Sequence, residues 1–303
     1  MASSLIKVRD ARKSYGDVRA VDGVDLDIEK GEIFGLIGHN GAGKSTLFKM
    51  LLGLLPATAG EIMVNGAAVR GAAFREVRRQ IGYLPENVVF YDNLTGLETL
   101  YFFADLKSAS RKDALPLLEK VGLAGAANRR VKGYSKGMRQ RLGFAQALLG
   151  KPALLFLDEP TNGLDPEGIR EFYQILREMK EQGVTVILTS HILSEIQERV
   201  DRLAIMKMGK IQAIGSLQSL REQNDLPLHV EVHLEAGVVE VLQRALAPLA
   251  IENLQVHGDR LSLRCRRHDK MAVLAALTSL DGKVLDLHVR EPSLEDVFLG
   301  YSG

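Results

Sequence analysis

Apolar residues come in short runs over the first part of the chain and at helical intervals later, and this change of period outlines the architecture. Leu5–Arg9, Val24–Ile28 and Ile33–Ile37 are apolar or alternating runs bounded by turn signals at Tyr15-Gly16-Asp17 and Lys30-Gly31, which predicts strands. From Gly43 to Leu55 the apolar Leu47, Met50, Leu51 and Leu54 recur at helical spacing until Pro56 stops them. Glu61–Val64 and Ala67–Val69 around Asn65-Gly66 predict a hairpin. Leu97–Lys107, Asp113–Val121 and Met138–Leu149 read as helices. Strand and helix then alternate: Ala153–Leu157, Glu167–Gln182, Val184–Thr189, Ile192–Val200 and Leu203–Met208. Such alternation predicts a mostly parallel sheet covered by helices.

Past residue 220 the pattern changes again. Leu228–Leu234, Val238–Leu249, Leu254–His257, Leu261–Cys265, Met271–Leu280 and Val284–Val289 follow one another as β-α-β-β-α-β, with a short helix at Leu294–Leu299. This order predicts a small ferredoxin-like α+β domain over 221–303, after a first domain over 1–220. That tail carries nine basic and thirteen acidic residues, which argues against a nucleic-acid-binding appendage. The whole chain, with 39 basic and 38 acidic residues and a net charge of +1, offers no electrostatic case for nucleic acid either. An apolar share of 46% with 25% charged residues excludes global disorder. The lone Cys265 excludes an intrachain disulfide. Met1-Ala2-Ser3-Ser4-Leu5-Ile6-Lys7 lacks the layout of a signal peptide, and no run approaches the ~18 apolar residues of a spanning helix. A soluble, cytoplasmic chain is expected, with any membrane role exercised through a partner.

The candidate chemistry starts at Gly38-His39-Asn40-Gly41-Ala42-Gly43-Lys44-Ser45, followed by Thr46. This run matches G-x-x-x-x-G-K-[ST] between an expected strand and an expected helix, the context that separates a phosphate cradle from a Gly-rich turn. Backbone N–H groups would curl around phosphate oxygens, Lys44 would reach the β- and γ-phosphates, and Ser45 would ligate Mg²⁺. Leu154-Leu155-Phe156-Leu157-Asp158-Glu159 describes a buried strand delivering two carboxylates at its end, where open α/β sheets bind ligands. Asp158 is a candidate Mg²⁺ holder, and Glu159 a candidate base for polarising water. Acidic residues after a strand are common, so this run draws its weight from the cradle. Kinases, GTPases and other ATPases remain open on these motifs, although no Asn-Lys-x-Asp guanine reader is present.

Tyr134-Ser135-Lys136-Gly137-Met138-Arg139-Gln140 precedes a helix and narrows the class. It resembles the Leu-Ser-Gly-Gly-Gln signature of ABC transporter ATPases, with Ser135 and Gly137 matching and Tyr134, Lys136 and Met138 departing. The order of motifs over residues 5–215 is similar to that family throughout. The resemblance implies a P-loop ABC ATPase fold with antiparallel β and helical subdomains. It also implies that Tyr15 stacks on adenine, that Gly163-Leu164-Asp165-Pro166 is the loop across a dimer interface, and that His191 contacts the γ-phosphate. Glu86 stands where the family usually has a Mg²⁺-sensing glutamine. It further implies two subunits packed head to tail, ATP and Mg²⁺ between one cradle and the opposite signature, and a separate membrane permease.

Three stretches, Ile37–Gly41, Ile81–Tyr91 and Arg130–Gly150, together with the close Pro292-Ser293-Leu294-Glu295-Asp296, resemble the ATPases of nitrous oxide reductase maturation transporters. That resemblance implies a bacterial inner-membrane complex with a periplasmic copper-delivery partner. No residues of this chain read copper, and His229 and His233, ~13 Å apart along one strand, cannot share a metal. Exporters of another cargo (a lipid, haem or a drug) remain open, as do a soluble ABC ATPase and a nucleotide-binding protein without turnover. Phe90-Tyr91 either docks a permease helix or fills the helical region's own core.

Overall fold

The computed structural model describes residues 4–302 apart from Glu198, Asn224, Asp225, Ala236 and Asp281. Met1–Ser3, part of the amino-terminal reading, lie outside the described residues, as does Glu198 within the expected Ile192–Val200 helix. The chain divides into two compact units, Met1–Ser216 and Leu217–Gly303.

In the first unit, β1 (Ser4–Tyr15) and β2 (Val18–Glu29) form a long antiparallel pair. After β3 (Ile33–Ile37) and α1 (Lys44–Leu51), β4 (Ala59–Val64) and β5 (Ala67–Ala68) complete a sheet of order β2-β1-β4-β5. One face of this sheet buries Ile6, Val8, Val24 and Leu26 in a core shared with Leu47, Phe48 and Leu51 of α1. Helix α1 stops four residues before the expected Leu55. Gly53 takes φ +67°, its N–H donates to Met50 O (3.0 Å), and the Leu54 N–H donates to Lys49 O (2.9 Å). These two bonds form a Schellman cap, which satisfies the terminal carbonyls and turns the chain away.

Then come α2 (Phe74–Arg79), β6 (Ile81–Leu84), α3 (Gly96–Lys107), α4 (Ala114–Lys120) and α5 (Lys136–Leu148). A capping box starts α3: Thr95 Oγ1 accepts from the Glu98 N–H, and Glu98 accepts from the Thr95 N–H. The remaining elements are β7 (Leu154–Leu157), α6 (Pro166–Glu181), β8 (Thr185–Ser190), α7 (Leu193–Ile196), β9 (Arg202–Lys207) and β10 (Lys210–Gly215). They build a six-stranded sheet of order β10-β9-β3-β8-β7-β6, parallel except for the β10 edge. Every residue of β3, β7 and β8 is buried, as a sheet covered on both faces requires. Helix α7 is shorter than the expected Ile192–Val200. Asp201 exchanges bonds with Ile33, its N–H donating to Ile33 O (2.9 Å) and its Oδ2 accepting from the Ile33 N–H (2.8 Å), which draws the chain into β9.

The second unit holds α8 (Leu217–Gln223), β11 (Leu228–Leu234), α9 (Val239–Leu246), β12 (Ile251–His257), β13 (Arg260–Cys265), α10 (Lys270–Thr278), β14 (Val284–Arg290) and α11 (Leu294–Ser302). The antiparallel sheet runs β12-β13-β11-β14. Counted within the unit this order is 2-3-1-4, the ferredoxin-like arrangement for β-α-β-β-α-β. Leu228, Val230, Val232 and Leu234 face a core with Leu242, Leu246, Val273 and Leu277, leaving the opposite face of the sheet polar.

Candidate active site

Four neighbouring parallel strands end side by side and deliver the motifs to one place. β3 leads into the Gly38–Ser45 loop, β6 into Glu86, β7 into Asp158 and Glu159, and β8 into His191. Together they border a hollow of about 470 Å³ lined by His39 to Thr46, Glu86, Glu159 and His191. Gly43, the residue before α1, has φ +102°, and a Cβ there would meet Ala20 O at 2.3 Å, so only glycine fits.

Lys44 folds back over its own loop, its ammonium donating to Gly38 O (2.5 Å) and His39 O (3.2 Å). Burial lowers its pKa from the ordinary lysine value, against the pull of Glu159, Asp158 and Glu86. Asp158 is buried, and desolvation holds its carboxyl above the usual aspartate range, opposed by the Thr189 hydroxyl and reinforced by Glu86. Glu159 takes φ +47°, a left-handed conformation uncommon for a non-glycine residue. Its Oε2 lies 2.7 Å from His191 Nδ1 and accepts the His191 N–H at 3.3 Å.

One residue to which the motifs assign no part joins the two acids. Thr189 Oγ1 donates to Asp158 Oδ1 (2.6 Å) and accepts the Glu159 N–H (2.9 Å), entirely within the buried sheet edge. Two adjacent strand ends, each with a polar residue, were the available signal. Val18, Arg19, Met208 and Gly209 also line the hollow without any motif pointing to them. Tyr15 is half exposed and stands directly opposite Val18 in the β1–β2 pair, with Lys13 Nζ 5.3 Å from its ring centroid; the hollow itself is bordered by Val18 rather than Tyr15.

Ser135, Gly137 and Asp165 do not line the hollow. Ser135 caps α5, its hydroxyl accepting the Met138 N–H (3.2 Å), and Asp165 caps α6 through the Gly168 N–H (3.0 Å). A Cβ on Gly137 would lie 2.8 Å from Gly163 O, so the start of α5 is packed against the loop that follows Glu159. Gln140 Nε2 strengthens that join by donating to Pro160 O (2.9 Å).

Ser45, Glu86 and Asp158 offer hard oxygen donors, the chemistry Mg²⁺ prefers. Among the described residues no group of three or more His, Cys, Asp or Glu side chains could hold a metal ion alone. Mg²⁺ needs no such group, because it takes one or two carboxylates and completes its shell with phosphate oxygens and water.

The match to the family described as ABC transporter spans residues 21–162. The bacitracin transport ATP-binding protein BcrA of Bacillus licheniformis is 37% identical over 99% of this chain and 98% of its own. The daunorubicin resistance ATP-binding protein DrrA3 of Streptomyces coeruleorubidus is 37% identical over 100% of this chain and 97% of its own. A solved dimeric structure of an ATP-binding cassette, in a post-hydrolysis state with ADP and Pi, is 27% identical and aligns with a TM-score of 0.66 over 70% of this chain and 98% of that one. A phosphate loop faced by a strand-end glutamate and histidine, in a chain whose sequence aligns with two of these relatives over nearly its full length, places it in the ABC transporter family as an ATP-binding, ATP-hydrolysing subunit.

Proposed function

We propose that this subunit powers an exporter of an antibiotic or drug-like compound, working as a homodimer bound to a separate membrane permease at the cytoplasmic face of the membrane. The observation that carries this reading is the near-complete alignment with ATPases named for bacitracin transport and daunorubicin resistance, which extends through the C-terminal unit. No helix among the described residues is long and apolar enough to cross a membrane, so transport needs the permease.

Within the site, Lys44 and the Gly38–Ser45 backbone grip the triphosphate, while Ser45, Asp158 and Glu86 would hold Mg²⁺, which would supply neutralising charge to the phosphates. Glu159 accepts a proton from the attacking water and His191, 2.7 Å from it, orients the γ-phosphate end of the site. Ser135 and Gly137 contact the phosphates of the nucleotide held by the other subunit, and Asp165 lies at the same seam. That assignment is supported by their place outside their own chain's hollow and by the dimeric state of the solved relative. ATP then supplies charge-assisted contacts that close the dimer, and hydrolysis withdraws them.

Nitrous oxide reductase maturation, with its periplasmic partner, rests on the sequence stretches alone, and none of the relatives named above supports it. The test is deletion of the gene for this subunit. Increased sensitivity to bacitracin-like or anthracycline compounds supports the export reading. Unchanged sensitivity, together with loss of copper from nitrous oxide reductase, overturns it in favour of maturation.

A further inference from the structure

The polar face of the C-terminal sheet carries an arrangement that folding alone does not favour. His229 of β11 stands directly opposite Arg264 of β13 on one side and Arg290 of β14 on the other. Paired residues in an antiparallel sheet project to the same face about 5 Å apart, so three cationic or cationisable groups lie in one row. Like charges placed directly opposite one another destabilise a sheet. The counter-charges at hand, Asp296 beside Arg290 and His229, and Glu231 beside His229, offset this only in part. Glu252 is opposite Arg264 on β12 but forms no ion pair with it within 4.0 Å. Asp296 lies 4.0 Å from Arg290, and its carboxylate already accepts from the Ser293 N–H (2.8 Å) and hydroxyl (2.7 Å).

Beside this row is a hollow of about 170 Å³, separate from the nucleotide site. Arg264, His229, Ser262, Gln255 and Asn253 border it, so its wall offers a guanidinium, an imidazole, a hydroxyl and two amides. Glu231, one row away, is the one carboxylate among the residues that line it. Asn253 reaches this wall because β12 carries a register shift between Glu252 and Gln255 and Asn253 takes φ +51°. A bulge of this kind re-aims a side chain at the expense of ladder pairing. A second hollow of about 460 Å³ continues from the first, sharing Glu231 and Ser262, and is bordered by His233, His257, His288, Arg260 and Asp286, with His233 paired to Asp259 (2.9 Å). Four of the chain's seven histidines therefore sit on this one face.

We propose that the outer face of the C-terminal sheet is a binding site for a small oxyanion-bearing ligand, with its phosphate or carboxylate group held by Arg264 and His229 and its remainder lying toward Ser262 and the second hollow. Arg290 closes the row at the rim. The ligand's charge offsets that of the two arginines and favours protonation of His229, and the hydroxyl and amides supply neutral donors to oxygens the cations leave free. Burial and then the flanking Arg264 and Arg290 lower the His229 pKa, opposed by Asp296 and Glu231.

The test uses the full-length protein with its histidine rings isotopically labelled, the His229 signal being assigned by its loss in His229→Gln. Inorganic phosphate and succinate are titrated in separate arms, each against sodium chloride at equal ionic strength. The expected result is a saturable shift of the His229 signal with at least one of them, the arm that responds identifying phosphate or carboxylate as the preferred group. Arg264→Gln is expected to weaken that response by about tenfold or more, the loss of one charge-assisted bond. Lys44→Ala is expected to leave it unchanged, which separates this site from the phosphate loop. No shift beyond the chloride control in either arm overturns the proposal, as does a response that survives Arg264→Gln or disappears in Lys44→Ala. If Arg264→Gln fails to fold, Arg264→Lys keeps the charge without the planar fork and is expected to show the same weakening in smaller degree.

Discussion

Thr189 ties the two acidic residues of the nucleotide site together, so its substitution acts on both stability and turnover. Thr189→Val leaves the shape of the side chain, but it removes the donor to Asp158 and leaves the Glu159 N–H without its acceptor. A loss of about 1–3 kcal/mol in urea unfolding is expected, since both bonds are buried, together with a fall in ATP turnover of about tenfold. Asp158→Asn moves stability in the other direction. An aspartate whose folded pKa lies above its unfolded value binds protons more readily when folded. Its contribution favours the fold below the ordinary aspartate range (about 3.9) and is lost as pH rises through the raised value. Above that raised value the desolvated carboxyl therefore costs the folded protein stability. Asparagine keeps an oxygen to accept the Thr189 hydroxyl, so Asp158→Asn is expected to melt at a higher temperature than the parent while Mg²⁺-dependent hydrolysis collapses. A lower melting temperature would show that the carboxylate charge stabilises the fold. Glu159→Gln is expected to reduce turnover at least ~100-fold, within the range of general-base loss, with ATP binding retained. Full turnover would remove Glu159 from the chemistry.

Elements carry the next level of control. Helix α5 begins against the loop after Glu159, and the contact is so close that Gly137 has no room for a methyl group. Gly137→Ala must push the Gly163 carbonyl aside, at a cost of about 1–3 kcal/mol for overpacking, and it displaces the segment leading to Asp165. Thermal melting with hydrolysis assays checks both effects, and an unchanged melting temperature would mean that the loop yields freely. Ser135 and Gly137 are thus accounted for locally by a cap and a close contact, without any appeal to a second subunit. The two roles are compatible, because the hydroxyl and backbone that start a helix also favour anions.

The aromatic pair before α3 divides its work. Phe90 is buried and packs edge-on against Phe103 (6.1 Å between centroids), whereas Tyr91 is 61% exposed and meets the half-exposed Phe102 at 5.7 Å. Helical periodicity places Phe102 and Phe103 on one helix, but only the packing decides which neighbour each ring meets.

At the scale of the whole molecule, Tyr91, Val89 and Leu106 leave exposed apolar side chains at the helical region, where the proposed permease would dock. Tyr91→Ala is expected to leave basal ATP turnover unchanged and to reduce permease-coupled turnover several-fold, measured with and without the membrane partner. Equal turnover in the coupled assay would assign Tyr91 to the helical region alone. The phosphate loop, the strand-end acids and the β-α-β-β-α-β tail are legible in the residues because each is a local pattern: glycines where backbone must curl, an apolar run ending in carboxylates, an alternation of periods. Strand β6 escapes that reading because it is short and carries Gly82, which packs where a Cβ would lie 2.2 Å from Ala147 O, and β10 because, as an edge strand with no fully buried residue, it shows no apolar run. Thr189 and the cationic row of Arg264, His229 and Arg290 escape it for a different reason. Their partners lie far away along the chain and come together only when strands choose their neighbours and register, a choice made by burial of whole faces rather than by any short stretch of residues.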